Sequence, residues 1–230
     1  MKKFLLLGLA ALALWVVPST RADERTTYVK HIETCEAILQ EFMDDPNYAI
    51  PPQVLQRAHG IVILNQFKAS FIFGATGGYG VILVKRPDGS WSIPVMINGG
   101  GVSFGLQAGG KAIESIFILT DDDTARRLFD GQFNIGVDAK AVAGPRWMEL
   151  ESVNKEIFAT PVLVYTKSKG LFAGATIKAG YIARDDDSNR RFYQTPYTMP
   201  ELLYSNFVTP PNEVKPLMAY VTKITAGGTQ

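Results

Sequence analysis

Apolar residues along this chain follow two different periods. Between Thr26 and Met43, the residues Tyr28, Ile32, Cys35, Leu39 and Phe42 recur at steps of four and three, the spacing of one face of an α-helix. "PPQVLQRAHG" predicts a second, short helix, opened by proline and stopped at Gly60. Past Ile61 the apolar residues alternate, or run together in short β-branched and aromatic stretches. These predict strands at 61–66, 69–75, 79–86, 91–97, 102–109 and 113–119, with "RPDGSW" as a hairpin turn. "TDDDTARRLFDG" predicts an Asp-capped helix ending at Gly131, after which strands resume at 133–143, 157–166 and 171–181. A polar loop holding "DDDSNRR" and two helical pieces, "MPELLYSNF" and "KPLMAYVTKI", complete the pattern.

Three of the strand segments, "VSFGLQAG", "FNIGVDAKAVAG" and "GLFAGATIKAG", place apolar residues on alternate positions and glycine or polar residues on the others. Glycine weakens a strand unless another group must approach closely. Its recurrence predicts an α+β fold: a strongly curved, mainly antiparallel β-sheet or barrel, flanked by N- and C-terminal helices.

Composition adds a compartment. Residues 1–22 carry Lys2 and Lys3, an apolar run from Phe4 to Val17, then Pro18 and small residues, the layout of a secretory signal peptide cleaved after Ala22. The expected location is therefore the periplasm or outer envelope of a bacterium, and 23–230 is expected to be one domain. Cleavage leaves 20 basic against 22 acidic residues, so no global basic field draws nucleic acid. One cysteine cannot form an internal disulfide, and the core must hold the fold by itself. The polar side of the first helix bears Glu33, Glu36 and Glu41 against Lys30, which favours packing on the core over contact with an anionic membrane.

Candidate chemistry is sparse. "GLQAGGKA", Gly105 to Ala112, completes G-x-x-x-x-G-K but lacks the Ser or Thr that ligates magnesium, and a β-type run follows where a phosphate-binding loop needs a helix. No nucleotide is expected. His31 and His59 are read as surface or capping residues, Cys35 as a small buried hydrophobe, and no serine stands in a G-x-S-x-G elbow, so no enzyme activity is expected. Asp185, Asp187 and Asn189 have calcium-loop spacing, but Arg190 replaces the required glycine and no closing Glu follows. Asp121 to Asp123 suit a helix N-terminus. Neither metal nor cofactor is expected.

Several motifs in order, A-x-G-I at Ala58 to Ile61, D-G-S-W-S at Asp88 to Ser92, F-G-x-Q at Phe104 to Gln107, A-G-P at Ala143 to Pro145 and S-K-G-L-F-A-G at Ser168 to Gly174, resemble the SYLF domain over roughly Pro51 to Tyr181. That resemblance implies a non-enzymatic α+β domain that binds lipid, with actin binding added in some eukaryotic members. An exported chain meets neither cytosolic actin nor phosphoinositides, so phospholipid or a membrane surface is the expected partner. Where many relatives carry an acidic residue, this chain reads Ile177-Lys178-Ala179-Gly180. The basic and aromatic stretch "KSKGLF" supplies the candidate contacts: Lys167 and Lys169 as cations and Phe172 as an anchor. An outer-membrane-type β-barrel or an envelope structural or interaction protein stands as the alternative.

Overall fold

A computed structural model describes residues 21–70, 73–104, 109–127, 131–146, 159–169 and 180–226. The elements, in chain order, are α1 (Arg21–Asp44), α2 (Pro52–Leu55), β1 (Gly60–Ser70), β2 (Phe73–Val84), β3 (Val95–Phe104), β4 (Gly109–Leu119), α3 (Asp122–Arg127), β5 (Gln132–Asn134), β6 (Ala141–Ala143), β7 (Val162–Lys169), β8 (Gly180–Arg184), α4 (Asp186–Tyr193), α5 (Met199–Tyr204) and α6 (Lys215–Thr225). The strands form one sheet in the order β5-β8-β3-β2-β1-β4-β7-β6. All described pairings are antiparallel except β6 with β7.

Connectivity forces this sheet to curl. Its two edge strands, β5 and β6, are consecutive and joined only by Ile135 to Lys140. Eight strands laid flat would hold their edges about 34 Å apart at about 4.8 Å per spacing. The chain from Asn134 to Ala141 reaches about 25 Å at most. The result is a half-barrel, with α1 on one face and the C-terminal helices packed at one end.

Glycine makes the curl possible. On the face opposite α1, a Cβ at Gly78 would overlap the carbonyl oxygen of Asn65, and one at Gly80 that of Ile63. A Cβ at Gly99 would come within 2.9 Å of Gln66 Nε2 and 3.1 Å of Leu64 Cδ1. On this face the β1 backbone and the Leu64 and Gln66 side chains already fill the space, and Gly78, Gly80 and Gly99 leave them room.

The core lies toward the end where β1 begins. Ile61 to Leu64, Val81 to Val84, Ile116 to Leu119 and Val162 to Tyr165 are buried residue after residue, so both sheet faces are covered there. α1 contributes Ile32, Cys35, Ile38, Leu39 and Phe42, the predicted stripe with Ile38 added. Polar bonds tie the C-terminal helices to this end. Trp91 Nε1 donates to Thr225 Oγ1 of α6 at 2.9 Å, and Arg86 donates to the carbonyls of Leu203 and Ser205 behind α5.

Several boundaries differ from the sequence expectation. The predicted strand at 69–75 is divided between β1 and β2, and that at 102–109 between β3 and β4. The predicted strand at 133–143 is broken by a turn at Gly136, whose φ of 80° suits glycine, and its halves lie on opposite edges of the sheet. α2 ends at Leu55, and Gly60 instead opens β1, its missing Cβ making way for Leu119. "DDDSNRR" is helical rather than a loop. Asp185 caps α4 by accepting from the Ser188 N–H at 3.1 Å, and acids in the first turn and arginines in the last complement the helix dipole. Residues 1–20, which hold most of the expected signal peptide, lie outside the described residues.

Candidate functional site: the open end of the sheet

The connections β1–β2, β3–β4 and β7–β8 all leave the end of the sheet remote from the core, as the registers Ser70↔Gly109, Phe73↔Phe104, Ala112↔Lys169 and Gly101↔Gly180 establish. The stretches of sequence that start and end at one register level there, that of Gln66, are 66–78, 99–113 and 168–182, of which 71–72, 105–108 and 170–179 lie outside the described residues. Together they contain Lys68, Lys111, Lys169 and Lys178 but no Asp or Glu, in a chain with 22 acidic residues. They also contain Phe67, Phe71, Phe73, Phe104 and Phe172.

Two successive rows on the α1 face mark where the core stops. The first runs Asn98, Tyr79, Asn65, Glu114, Lys167 across β3, β2, β1, β4 and β7. α1 lies along it. The His31 ring stacks on Tyr79 with centroids 3.6 Å apart, and Glu41 and Asp45 stand 3.7 and 3.8 Å from Lys167 Nζ. Ten residues of helix, about 15 Å, match three strand spacings, about 14 Å, so a straight helix serves both contacts. Asn65 Nδ2 donates to the Tyr79 hydroxyl at 3.0 Å, and Glu114 is only 8% exposed. Burial lowers the pKa of His31, against the opposing field of Asp185.

The second row, one step toward the open end, runs Tyr181, Gly100, Gly77, Phe67, Ala112, Lys169. Gly100 is needed because the Tyr181 ring lies across it. Phe67 is 58% exposed, its register partners Gly77 and Ala112 are small, and a Cβ at Gly77 would meet nothing within 4 Å. Sequence reasoning passed over Phe67 and Lys68. The signal was the missing acid, visible once the topology joins three distant segments.

Of the sequence-derived candidates, the structure describes Lys167 and the backbone of Lys169. Lys167 is 21% exposed and held by α1, with its Nζ also 5.4 Å from the Tyr48 ring centre, over which Arg146 stands at 5.8 Å. Lys169 closes β7, and Phe172 lies outside the described residues. The structure thus joins Lys167 to an acidic and aromatic cluster.

The remaining motifs have structural work. In "DGSWS", Asp88 accepts from the Ser90 N–H and hydroxyl at 2.9 and 2.7 Å, Gly89 takes φ 82°, and Ser92 Oγ accepts from the Val84 N–H. In "AGP", Gly144 clears the Tyr165 ring, whose hydroxyl donates to the Pro145 carbonyl at 3.2 Å. Asn189, once weighed as a metal ligand, instead extends the β3 ladder past the end of β8: its side chain accepts from the Met96 N–H and donates to the Met96 carbonyl, both at 2.8 Å. Lys111 sits within β4, so no helix follows it as a phosphate-binding loop requires. Burial pushes the Cys35 thiol up to about 12, far from a reactive thiolate. Asp121 caps α3, accepting from the Thr124 N–H at 2.6 Å, and His59 Nδ1 lies 2.9 Å from Asp122. No described helix is long and apolar enough to cross a membrane.

Comparison with known proteins finds relatives in yeast and animals. LAS seventeen-binding protein 3 of Saccharomyces cerevisiae is 34% identical over 171 residues, 73% of this chain and 37% of that protein. Protein YSC84 of the same yeast is 33% identical over 165 residues, covering 70% and 35%. SH3 domain-containing YSC84-like protein 1 of Bos taurus is 30% identical over 179 residues, covering 75% and 52%. The chain thus spans about a third to a half of these relatives. No solved structure matches. The family model described as "Ysc84: Las17-binding protein actin regulator" matches residues 100–224, from the middle of β3 to the last turn of α6, and the chain belongs to this Ysc84, or SYLF, family.

Proposed function

We propose that this chain binds anionic phospholipid, or another amphipath with an anionic head, through the open end of its half-barrel, acting at the bacterial envelope after export and performing no chemistry. The observation that carries the reading is the presence of four lysines and five phenylalanines, without one carboxylate, in the three stretches of sequence that run past the Gln66 level at that end. Each lysine near an anionic surface contributes on the order of 1 kcal/mol. Lys169 and Phe172 belong to this contact. Lys167 lends its charge from one row behind, still paired with Glu41 and Asp45. Las17 binding and actin regulation, which the family description and the relatives' names carry, are not part of the proposal, because export separates the chain from cytosolic partners.

The test is co-sedimentation of the chain with phosphatidylcholine vesicles, with and without equimolar phosphatidylglycerol, at low and high salt. Binding should require the anionic lipid and weaken with salt, since exposed charges are screened beyond about 8–10 Å at physiological ionic strength. Failure to bind either vesicle contradicts the proposal. The export clause is checked by N-terminal sequencing of chain recovered from an envelope fraction, which should begin at or near Asp23; an intact Met1 in the cytosol contradicts it.

A further inference from the structure

The two rows also set a depth. Resting on the lipid-surface reading, we infer that the chain enters an anionic bilayer end-on, by the end of the sheet remote from the core, to the level of Phe67 and no further. Phe67 is a large ring on an uncovered stretch of sheet, flanked in register by Gly77 and Ala112. Aromatic rings of this kind favour the boundary between headgroups and acyl chains. Lys68 is opposite Lys111 in register, and Lys169 is opposite Ala112, so three lysines occupy positions within one residue of the Phe67 level, where phosphates would lie. Like charges directly opposed on neighbouring strands are destabilising in water, and an anionic surface relieves that opposition.

The described part of β1 beyond Phe67 is short. From Phe67 to Ser70, where β1 ends, three residues at about 3.3 Å each span about 10 Å, the interfacial depth that peripheral elements reach. Beyond Phe67 toward the tip, the same face carries Val102, Ala75, Ala69 and Gly110, all small or apolar. Two residues back toward the core lie Glu114, Lys167, Glu41 and Asp45. Moving that cluster into headgroups strips water from carboxylates and sets acids against anionic lipid, which halts entry.

The experiment places an environment-sensitive dye on one introduced cysteine at a time: Phe67→Cys and Ala75→Cys at the leading end, and Thr166→Cys at the level of Leu64. Cys35 is buried, with its thiol raised to about 12, and stays unlabelled in the folded chain. With vesicles of equimolar phosphatidylcholine and phosphatidylglycerol, the dyes at 67 and 75 should shift to the blue and be quenched severalfold by nitroxide-bearing lipid, while the dye at 166 stays unchanged. A companion variant, Phe67→Ser, should keep the wild-type melting temperature yet bind about tenfold more weakly, with Phe67→Trp restoring affinity. If wild-type chain sediments with these vesicles but the dyes at 67 and 75 do not respond, or the dye at 166 responds equally, end-on entry is refuted and the lipid reading survives. If wild-type chain does not sediment, the lipid reading fails and takes this inference with it.

Discussion

β1 is two strands in one. Its first half, Ile61 to Leu64, is buried on both faces, while in its second half Asn65 and Gln66 are half-buried and Phe67 is exposed. Both halves are flanked by glycine in β2, but for opposite reasons. Beside the first half, Gly80 is required because backbone already occupies the place of a side chain. Beside the second, Gly77 faces open space. Gly78, also beside the second half but on the other face, is closed by the Asn65 carbonyl as Gly80 is by that of Ile63, so one residue type serves close packing on one face and leaves the α1 face uncovered at the open end.

The sharpest way to break this comparison is to add the same side chain in both places. Gly80→Val should cost about 3 kcal/mol or more, because the β1 backbone cannot retreat without breaking its own ladder. Gly77→Val should leave stability within about 1 kcal/mol of wild type, since valine suits an open strand position. Denaturant melts of the two variants decide it, and equal losses would show that the open end is packed as tightly as the core.

Next in size is Asn189→Ala, which leaves the Met96 N–H and carbonyl buried without their partner. A loss of about 2–4 kcal/mol is expected by the same melts. A loss below about 1 kcal/mol would mean that the β3 ladder does not depend on this amide.

The smallest effect concerns the seam between the halves, where His31 covers Tyr79. Its folded pKa is lowered by burial, so the unfolded chain binds the proton more readily. Stability from this group is full above the unfolded value near 6.5 and is lost as pH falls from there toward the folded pKa. Melting temperature should therefore drop between about pH 6.5 and pH 5 in wild type, and drop less in His31→Phe, a variant that keeps an aromatic ring on Tyr79 while leaving Asp185 and the His59–Asp122 pair in place. An identical drop in both would assign the acid sensitivity elsewhere.

The core half was largely legible in the sequence, and the open half was not. The helical stripe through Ile32, Cys35, Leu39 and Phe42 specifies α1 because a buried face must repeat with the helix. Glycine at alternate positions announced a curved sheet. Three features escaped for physical reasons. α4 has too few apolar residues to show a period; its cap, dipole charges and the buried Asn189 hold it instead. The break at Gly136 looked like strand because Phe133, Ile135 and Val137 alternate, although Val137 is exposed at a turn. The acid-free end is assembled from segments far apart in sequence, so it emerges only when the strand order is known.

The central claim, that the open end rather than overall charge makes the contact, is tested by two variants with the same change in net charge. Lys68→Gln/Lys169→Gln removes two lysines from the open end. Lys30→Gln/Lys223→Gln removes two from the exposed sides of α1 and α6. Affinity for equimolar phosphatidylcholine–phosphatidylglycerol vesicles at low salt should fall about tenfold or more in the first, given on the order of 1 kcal/mol per lysine, and stay within about twofold of wild type in the second. Equal losses in the two variants, or no loss in the first, would contradict the account.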